Sequence, residues 1–290
     1  MQSVYAEIIR DSIPDFEISS VVLNYQGQNS DVLIVNESWV FRFPKYEHVL
    51  QQFRFETALL EALQGRLPLA IPAPCFVNLH DQPLGRAYMG YRLIPGEPLW
   101  REVFRQIQDE TTLDALAEQL AGFLHALHSL PVHELVSHEL SRMDTLEEWL
   151  DIYSRMRSKL FDFMRSDARQ WTVDHFENYL DEPANFSYPP VLKHSDFGTS
   201  NILYDSENNC ITGIIDFSYA GLGDPAYDFA GLLSSYGETF IERCARFYPG
   251  LEHILPRVRF YKGTFALFEA LFGIENDDQD AFQSGISSYV

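Results

Sequence analysis

Short alternating runs of apolar and polar residues open the chain. EISSVVLNY, DVLIVN and SWVFRF, within residues 17–43, are separated by the turn-forming GQNS and NES, and this pattern predicts an antiparallel meander. From Lys45 to Leu63 the period lengthens to that of a helix, with Val49, Phe53, Leu59, Leu60 and Leu63 able to share one broad face. The proline-rich IPAPC ends that unit. CFVNL and RAYMGYRLI then read as two further strands, and PGEP at 95–98 marks a connection or hinge. Beyond Leu99, helical periodicities cover about 99–130, 143–182 and 237–288, interrupted by the short strand candidates VLK, NILY and ITGIID. A strand-rich first part followed by a helix-rich part with a compact β-island predicts an α+β, two-lobed molecule. Residues 1–94 form one expected lobe and residues 95–290 the other, with a cleft between them.

Composition supports a folded chain of this size, since 290 residues at 46% hydrophobic content can bury a substantial core. Cys75, Cys210 and Cys244 are scattered and in no CxxC arrangement, which points to neither a disulfide framework nor a zinc site. The first residues, MQSVYAEIIRDSIPDF, carry acids and a proline where a signal peptide needs a basic flank and an apolar run, and no apolar stretch reaches membrane-spanning length. The expected location is the cytoplasm, and the expected state a monomer. Lys plus Arg number 21 against 42 Asp plus Glu, a net charge of −21. That balance repels nucleic acid and anionic membrane, and it suits either a solvated surface or a cationic small-molecule partner.

The densest chemistry lies in His194-Ser195-Asp196-Phe197-Gly198-Thr199-Ser200-Asn201, on a loop between the apolar runs PPVLK and ILY. Fifteen residues past Asn201 comes Asp216, at the end of ITGII, followed by Gly223-Asp224-Pro225 and Asp228. Phosphoryl transfer calls for a carboxylate at the attacking hydroxyl and for oxygen ligands to Mg²⁺, because the protein contributes mainly positioning and charge neutralisation. An Asp and an Asn five residues apart on one loop, with a second Asp at a nearby strand end, can supply both.

These segments resemble the aminoglycoside phosphotransferases, protein-kinase-like small-molecule kinases, over nearly the whole chain. HSDFGTSNIL is similar to the family's catalytic loop and GIIDFSYAGLGDPAYDFA to its metal-binding segment. The resemblance implies a protein-kinase-like fold and transfer of the γ-phosphoryl group of ATP or GTP to a hydroxyl of an aminoglycoside-like small molecule. Asp196 is then the catalytic base and His194 the residue bracing its loop, with Asn201 and Asp216 as Mg²⁺ ligands and Asp224 and Asp228 as architecture. A macrolide, choline, homoserine or similar acceptor, or a nucleotide-binding pseudokinase, stands as the alternative.

In the first lobe the resemblance places the nucleotide under the Gly27-Gln28-Asn29-Ser30 loop, with Gly27 and Ser30 near phosphate. Arg42 stands where the family carries a lysine that contacts the phosphates, with Lys45 a second candidate, and Glu56 resembles the glutamate paired with that base. MGYRLIPGEPL resembles the interlobe hinge, so that Tyr91, Arg92, Leu93 and Ile94 would line the purine. On the acceptor side FALFEALFGIE resembles a late helix of 2″-phosphorylating members, and Glu238, Glu269 and Glu275 are the expected contacts to a cationic substrate. The chain departs from those members at LLSSYGE, where they carry an acidic run. His125 and His128, three apart on LAGFLHALHSL, read as packed or exposed helix histidines.

Overall fold

The computed structural model describes residues 2–24, 29–132 and 140–290. The first lobe is a twisted antiparallel sheet of β1 (Val21–Asn24), β2 (Ser30–Val35), β3 (Trp39–Pro44), β4 (Pro74–Asn78) and β5 (Tyr88–Arg92), in spatial order β1-β2-β3-β5-β4. Its two faces are covered separately. Leu33, Val35, Phe41, Phe43 and Tyr88 pack against Ile8 and Ile9 of an N-terminal helix, α1 (Gln2–Ser12). On the other face Val40, Met89 and Tyr91 meet Val49, Leu50 and Phe53 of α2 (Glu47–Leu63). Side chains alternate along a strand, so β3, central and buried on both faces, sends Phe41 and Phe43 to α1 and Arg42 toward α2. The helix α1 answers to no sequence expectation; its short amphipathic run buries Ala6, Ile8 and Ile9 and stacks Tyr5 on Phe43.

The chain enters the second lobe through β6 (Glu97–Pro98), which pairs with β8 (Ile202–Asp205), itself paired with β9 (Cys210–Ile214). A second small ladder joins β7 (Val191–Lys193) to β10 (Gly221–Gly223), a strand too short and glycine-rich to read from sequence. Helices make up the remainder: α3 (Arg101–Phe104), α4 (Glu110–His128), α5 (Leu146–Leu160), α6 (Ser166–Leu180), α7 (Ala226–Tyr236), α8 (Glu238–Cys244), α9 (Leu251–Glu275) and α10 (Gln279–Ile286). Among the described residues no helix is long and apolar enough to cross a membrane.

Three buried charged groups hold the β-island. Lys193 Nζ lies 2.7 Å from Asp144 Oδ2 and 3.8 Å from the centre of the Tyr227 ring. Asp144 Oδ2 also accepts the Asp224 N–H at 3.1 Å, and Asp224 accepts from Arg257 Nε at 2.6 Å and from the Tyr261 hydroxyl at 3.0 Å. Asp228, in the first turn of α7, does the same for the loop 194–201. Its Oδ1 accepts the Ser195 N–H and its Oδ2 the His194 N–H, each at 2.8 Å. His128 Nε2 sits 3.1 Å from Oδ2, while its Nδ1 meets the Tyr248 hydroxyl at 3.0 Å. Burial pushes the Asp228 carboxyl up, yet the His128 hydrogen bond and the backbone donors outweigh it and hold the group below the usual Asp range.

Two predictions follow from how α7 carries that loop. A Cβ at Gly231 would lie 2.4 Å from the Phe197 carbonyl oxygen, so Gly231→Ala is expected to lower stability by about 1–3 kcal/mol through overpacking, read in denaturant unfolding. Asp228→Asn replaces one acceptor oxygen with a donor and orphans a buried loop N–H, at a cost of about 1–3 kcal/mol near neutral pH. Because the native Asp228 carboxyl is depressed, its stabilisation is complete above the ordinary Asp value and disappears as pH falls through the lower native one. The gap between wild type and variant is therefore expected to narrow when unfolding is repeated on the acid side of that range; a constant gap would contradict it.

Candidate active site

A cavity of about 500 Å³ lies between the lobes. Val32, Ile34 and Val40 of the sheet and Leu203 and Ile215 of the β-island line its apolar end, together with Tyr91. Arg42, Ser30, Asp196, Asn201, Asp216 and Ser218 line the polar end. The apolar slot suits a flat ring and the polar end a chain of charged oxygens.

The polar end is built on two non-glycine residues in the left-handed region, Ser195 at φ 71° and Asp216 at φ 65°. Such backbone is held only where its surroundings fix it, and here the Ser195 N–H is bound by Asp228. His194 is fully buried between Phe197 and Phe217. Its Nε2 meets the Ile215 carbonyl at 3.0 Å and its Nδ1 accepts the Asp196 N–H at 3.3 Å, so the ring is a neutral Nε2–H tautomer occupied on both sides. It ties the loop to the strand end before Asp216 and, with neither nitrogen turned to a substrate, does no proton transfer.

Asn201 Nδ2 donates to the Asp196 carbonyl at 2.9 Å and to the Asp196 carboxylate at 2.8 Å. Both partners only accept, which fixes the amide orientation and leaves Asn201 Oδ1 as an unclaimed acceptor among the described residues. Asp216 shows the same asymmetry. Arg42 Nη2 at 3.3 Å, the Ser218 hydroxyl at 2.6 Å and the Ser218 N–H at 3.4 Å all fall on Oδ1, so Oδ2 keeps no protein donor among the described residues. Burial raises the Asp216 carboxyl, but the Arg42 charge and the Ser218 hydroxyl overcome it and hold it ionised below the ordinary range. One amide oxygen and one carboxylate oxygen on adjoining segments, joined by the Ile215 N–H to Asn201 carbonyl bond of 2.9 Å, form a donor set of the hard, incomplete kind that Mg²⁺ takes alongside water and phosphate.

Arg42 is buried and its Nη1 donates to Glu56 Oε1 at 2.8 Å. Glu56, with no exposed surface, also accepts the Phe217 N–H at 3.1 Å and lies 2.9 Å from the Ser218 hydroxyl. Burial lowers the Arg42 guanidinium and raises the Glu56 carboxyl. Against that, Glu56 and Asp216 drive Arg42 up, and Arg42 and Ser218 pull Glu56 down. The outcome differs for the two partners: Arg42 ends above its ordinary value, whereas burial leaves the Glu56 carboxyl raised in spite of the Arg42 guanidinium and the Ser218 hydroxyl beside it. Lys45 lies elsewhere, 3.3 Å from Asp31.

Tyr91 and Ile94 line the cavity, as does Ser30, whereas Arg92 does not. Strand alternation turns Arg92 outward, where its guanidinium sits 4.1 Å over the Trp39 ring, so its assignment to the purine slot is corrected. Gly27 falls outside the described residues. Asn29, which sequence reasoning passed over, reaches across the cleft to the Tyr219 hydroxyl at 3.0 Å.

A second cavity, about 310 Å³, opens on the other side of the loop and is lined by Tyr227, Phe265, Phe268, Ser234 and Ser235. Asp196 and Ser200 line both cavities. The three expected acceptor carboxylates do not join Asp196 there. Glu238 pairs with Arg259 at 3.0 Å and lines a separate cavity of about 730 Å³ bounded by α6 and α9. Glu275 binds Lys159 at 2.8 Å and Arg155 at 3.3 Å. Glu269 is exposed on α9, one residue past Phe268 but outside the lining. Glu238 and Glu275 are thus paired with basic side chains at the surface.

Known proteins share this fold. A model of the phosphotransferase enzyme family matches residues 22–261. Viomycin phosphotransferase of Streptomyces vinaceus is 28% identical over 205 residues, covering 70% of this chain and 69% of the relative. Aminoglycoside 2'-phosphotransferase-IIIa in its GDP complex superposes with a TM-score of 0.91 at 27% identity, over 99% of this chain and 96% of that one. The GDP and kanamycin complex of APH(2″)-IIia gives a TM-score of 0.90 at 27% identity, over 98% and 96% of the two chains. Macrolide 2'-phosphotransferase type I, at 20% identity and a TM-score of 0.74 over 99% and 96%, shares the fold. The family match reaches from the first sheet strand into α9, and the chain belongs to the phosphotransferase enzyme family as a small-molecule O-phosphotransferase.

Proposed function

We propose that the protein transfers the γ-phosphoryl group of ATP or GTP to a hydroxyl of an aminoglycoside-like small molecule in the cytoplasm. One observation carries the reading: the Asp196 carboxylate borders both the interlobe cavity and the aromatic cavity beside it. A hydroxyl in the second cavity would hydrogen-bond to Asp196 and face the terminal phosphate of a nucleotide in the first. Its oxygen forms the new bond to phosphorus as the bond to the bridging β–γ oxygen breaks, its proton passes to Asp196, and the nucleoside diphosphate leaves. Asn201 Oδ1 and Asp216 Oδ2 would hold Mg²⁺, which supplies charge neutralisation at the phosphates. Arg42 adds a fixed positive charge at the same end of the cavity. The neighbouring complexes with GDP and with kanamycin support both the nucleotide and the acceptor class.

A second acceptor class, a macrolide, choline, homoserine or similar hydroxyl, is favoured by one feature. Asp196 is the one carboxylate among the residues lining the aromatic cavity, where a polycation would call for several.

Asp196→Asn is expected to lower kcat by about 10²–10⁴-fold while nucleotide affinity, read by calorimetry, stays within error. Equal loss of both would point to a folding defect instead of a lost base. Chelation of divalent ions should stop nucleotide consumption, with activity returning on added Mg²⁺. Arg42→Lys keeps the charge but cannot span Glu56 and Asp216 with a planar fork, and is expected to raise the nucleotide KM about tenfold, roughly 1.4 kcal/mol, with a smaller effect on the acceptor KM.

A further inference from the structure

Among the aromatic residues lining the cavity beside Asp196, Tyr227 alone carries a polar tip; Phe197, Phe265 and Phe268 are the others. A tyrosine hydroxyl at such depth ordinarily finds a partner in the protein. Its neighbours in the second lobe do so. Tyr188 donates to the Asp144 carbonyl at 2.7 Å, Tyr261 to Asp224 Oδ2 at 3.0 Å and Tyr236 to the Leu99 carbonyl at 2.9 Å. The Tyr227 hydroxyl hydrogen-bonds to none of the described residues.

The ring is nevertheless fixed in place. Lys193 Nζ lies 3.8 Å from its centre, and the Tyr261 and Phe265 rings stand 5.3 Å and 5.7 Å away. It is also registered against Asp196. Tyr227 directly precedes Asp228 on α7, and the two Asp228 oxygens bind the main-chain N–H groups of His194 and Ser195. One turn of helix therefore carries both the phenol and the anchor of the loop that bears Asp196. Groups held this rigidly can recognise a ligand with little ordering cost.

The state of the phenol selects its partner. Burial, together with the carboxylates of Asp144, Asp196, Asp228 and Glu148, raises it above its ordinary value, so it keeps its proton. The Lys193 cation over the ring draws on its electron density and favours donation by the O–H. A donor needs a lone pair opposite it, which an ammonium group lacks and a hydroxyl oxygen carries.

We propose that Tyr227 determines acceptor specificity: its hydroxyl donates to a second hydroxyl of the acceptor, on the same ring as the hydroxyl held by Asp196, so that the site takes polyhydroxylated rings of the kind an aminoglycoside presents. The inference deepens the transfer reaction proposed above and rests on it.

Tyr227→Phe in the full chain removes one oxygen and leaves the ring, its stacking and the Lys193 contact. With kanamycin as acceptor and Mg²⁺ and ATP as donor, the acceptor KM is expected to rise about five- to tenfold, while the nucleotide KM and the denaturant midpoint of unfolding stay unchanged. An unchanged acceptor KM, or a rise accompanied by a lower midpoint and a higher nucleotide KM, overturns the proposal. NMR of the product then locates the phosphorylated ring, and kanamycin derivatives lacking each other hydroxyl of that ring in turn are compared. One derivative is expected to lose on the wild type what Tyr227→Phe loses on kanamycin, and to lose nothing further on the variant. Equal losses on both proteins overturn the contact. If kanamycin is not phosphorylated, its calorimetric titration in the presence of Mg²⁺ and a non-hydrolysable ATP analogue separates the two claims. Binding weakened in Tyr227→Phe overturns the transfer reaction and keeps the contact, whereas equal binding, or none, overturns the contact as well.

Discussion

The buried pair of Arg42 and Glu56 is the contact on which the cleft depends. Arg42 comes from the central strand of the sheet and Glu56 from α2, yet Glu56 also binds the Phe217 N–H and Arg42 also touches Asp216, both in the second lobe. Ionised groups this deep cost several kcal/mol each to desolvate, and the cost is offset only when every lone pair and proton finds a partner. Here Glu56 takes Arg42, the Phe217 N–H and the Ser218 hydroxyl as neighbours, and the Phe53 ring lies 4.7 Å from the guanidinium. Removing Arg42 would strand the fully buried Glu56 without its cationic partner. The pair therefore fixes strand, helix and metal-binding segment as one unit, and the distance between the nucleotide slot and Asp196 is set by that unit.

Much of this could be read from residue types, and the reasons differ from place to place. The loop around Asp196 was legible because its chemistry needs particular functional groups in a particular order, and turn formation alone does not ask for His, Asp and Asn together. The sheet and α2 were legible because their apolar periods of two and of about four change sharply at Lys45. Asp228 read only as architectural, for its partners are main-chain N–H groups, which no side-chain pattern announces. Arg92 was misplaced because a run such as YMGYRL shows that alternate residues face one way without showing which set faces the cleft. The helix α7 escaped the periodicity reading, being only Ala226–Tyr236 and carrying buried residues on most of its surface. Glu238 and Glu275 were assigned to a ligand because an acidic helix says nothing of Arg259, Lys159 or Arg155, contributed from far away in the chain.

The two sides of Asp196 also differ in how they exert selectivity. On the nucleotide side, apolar walls and a few fixed charges leave little freedom. On the acceptor side, the Tyr227, Phe265 and Phe268 rings give shape with little polarity.

Ser218 imposes a further condition. Its hydroxyl oxygen is within hydrogen-bonding distance of Glu56 Oε2 and of Asp216 Oδ1, but it owns one hydrogen and can give it to one carboxylate at a time. When a cation draws electron density from Asp216, that hydrogen is better given to Glu56, and when Glu56 is well served elsewhere, Asp216 holds it. The two lobes are consequently in thermodynamic conversation through a single rotatable O–H bond, and by reciprocity whatever perturbs one carboxylate must register, to the same extent in free energy, at the other.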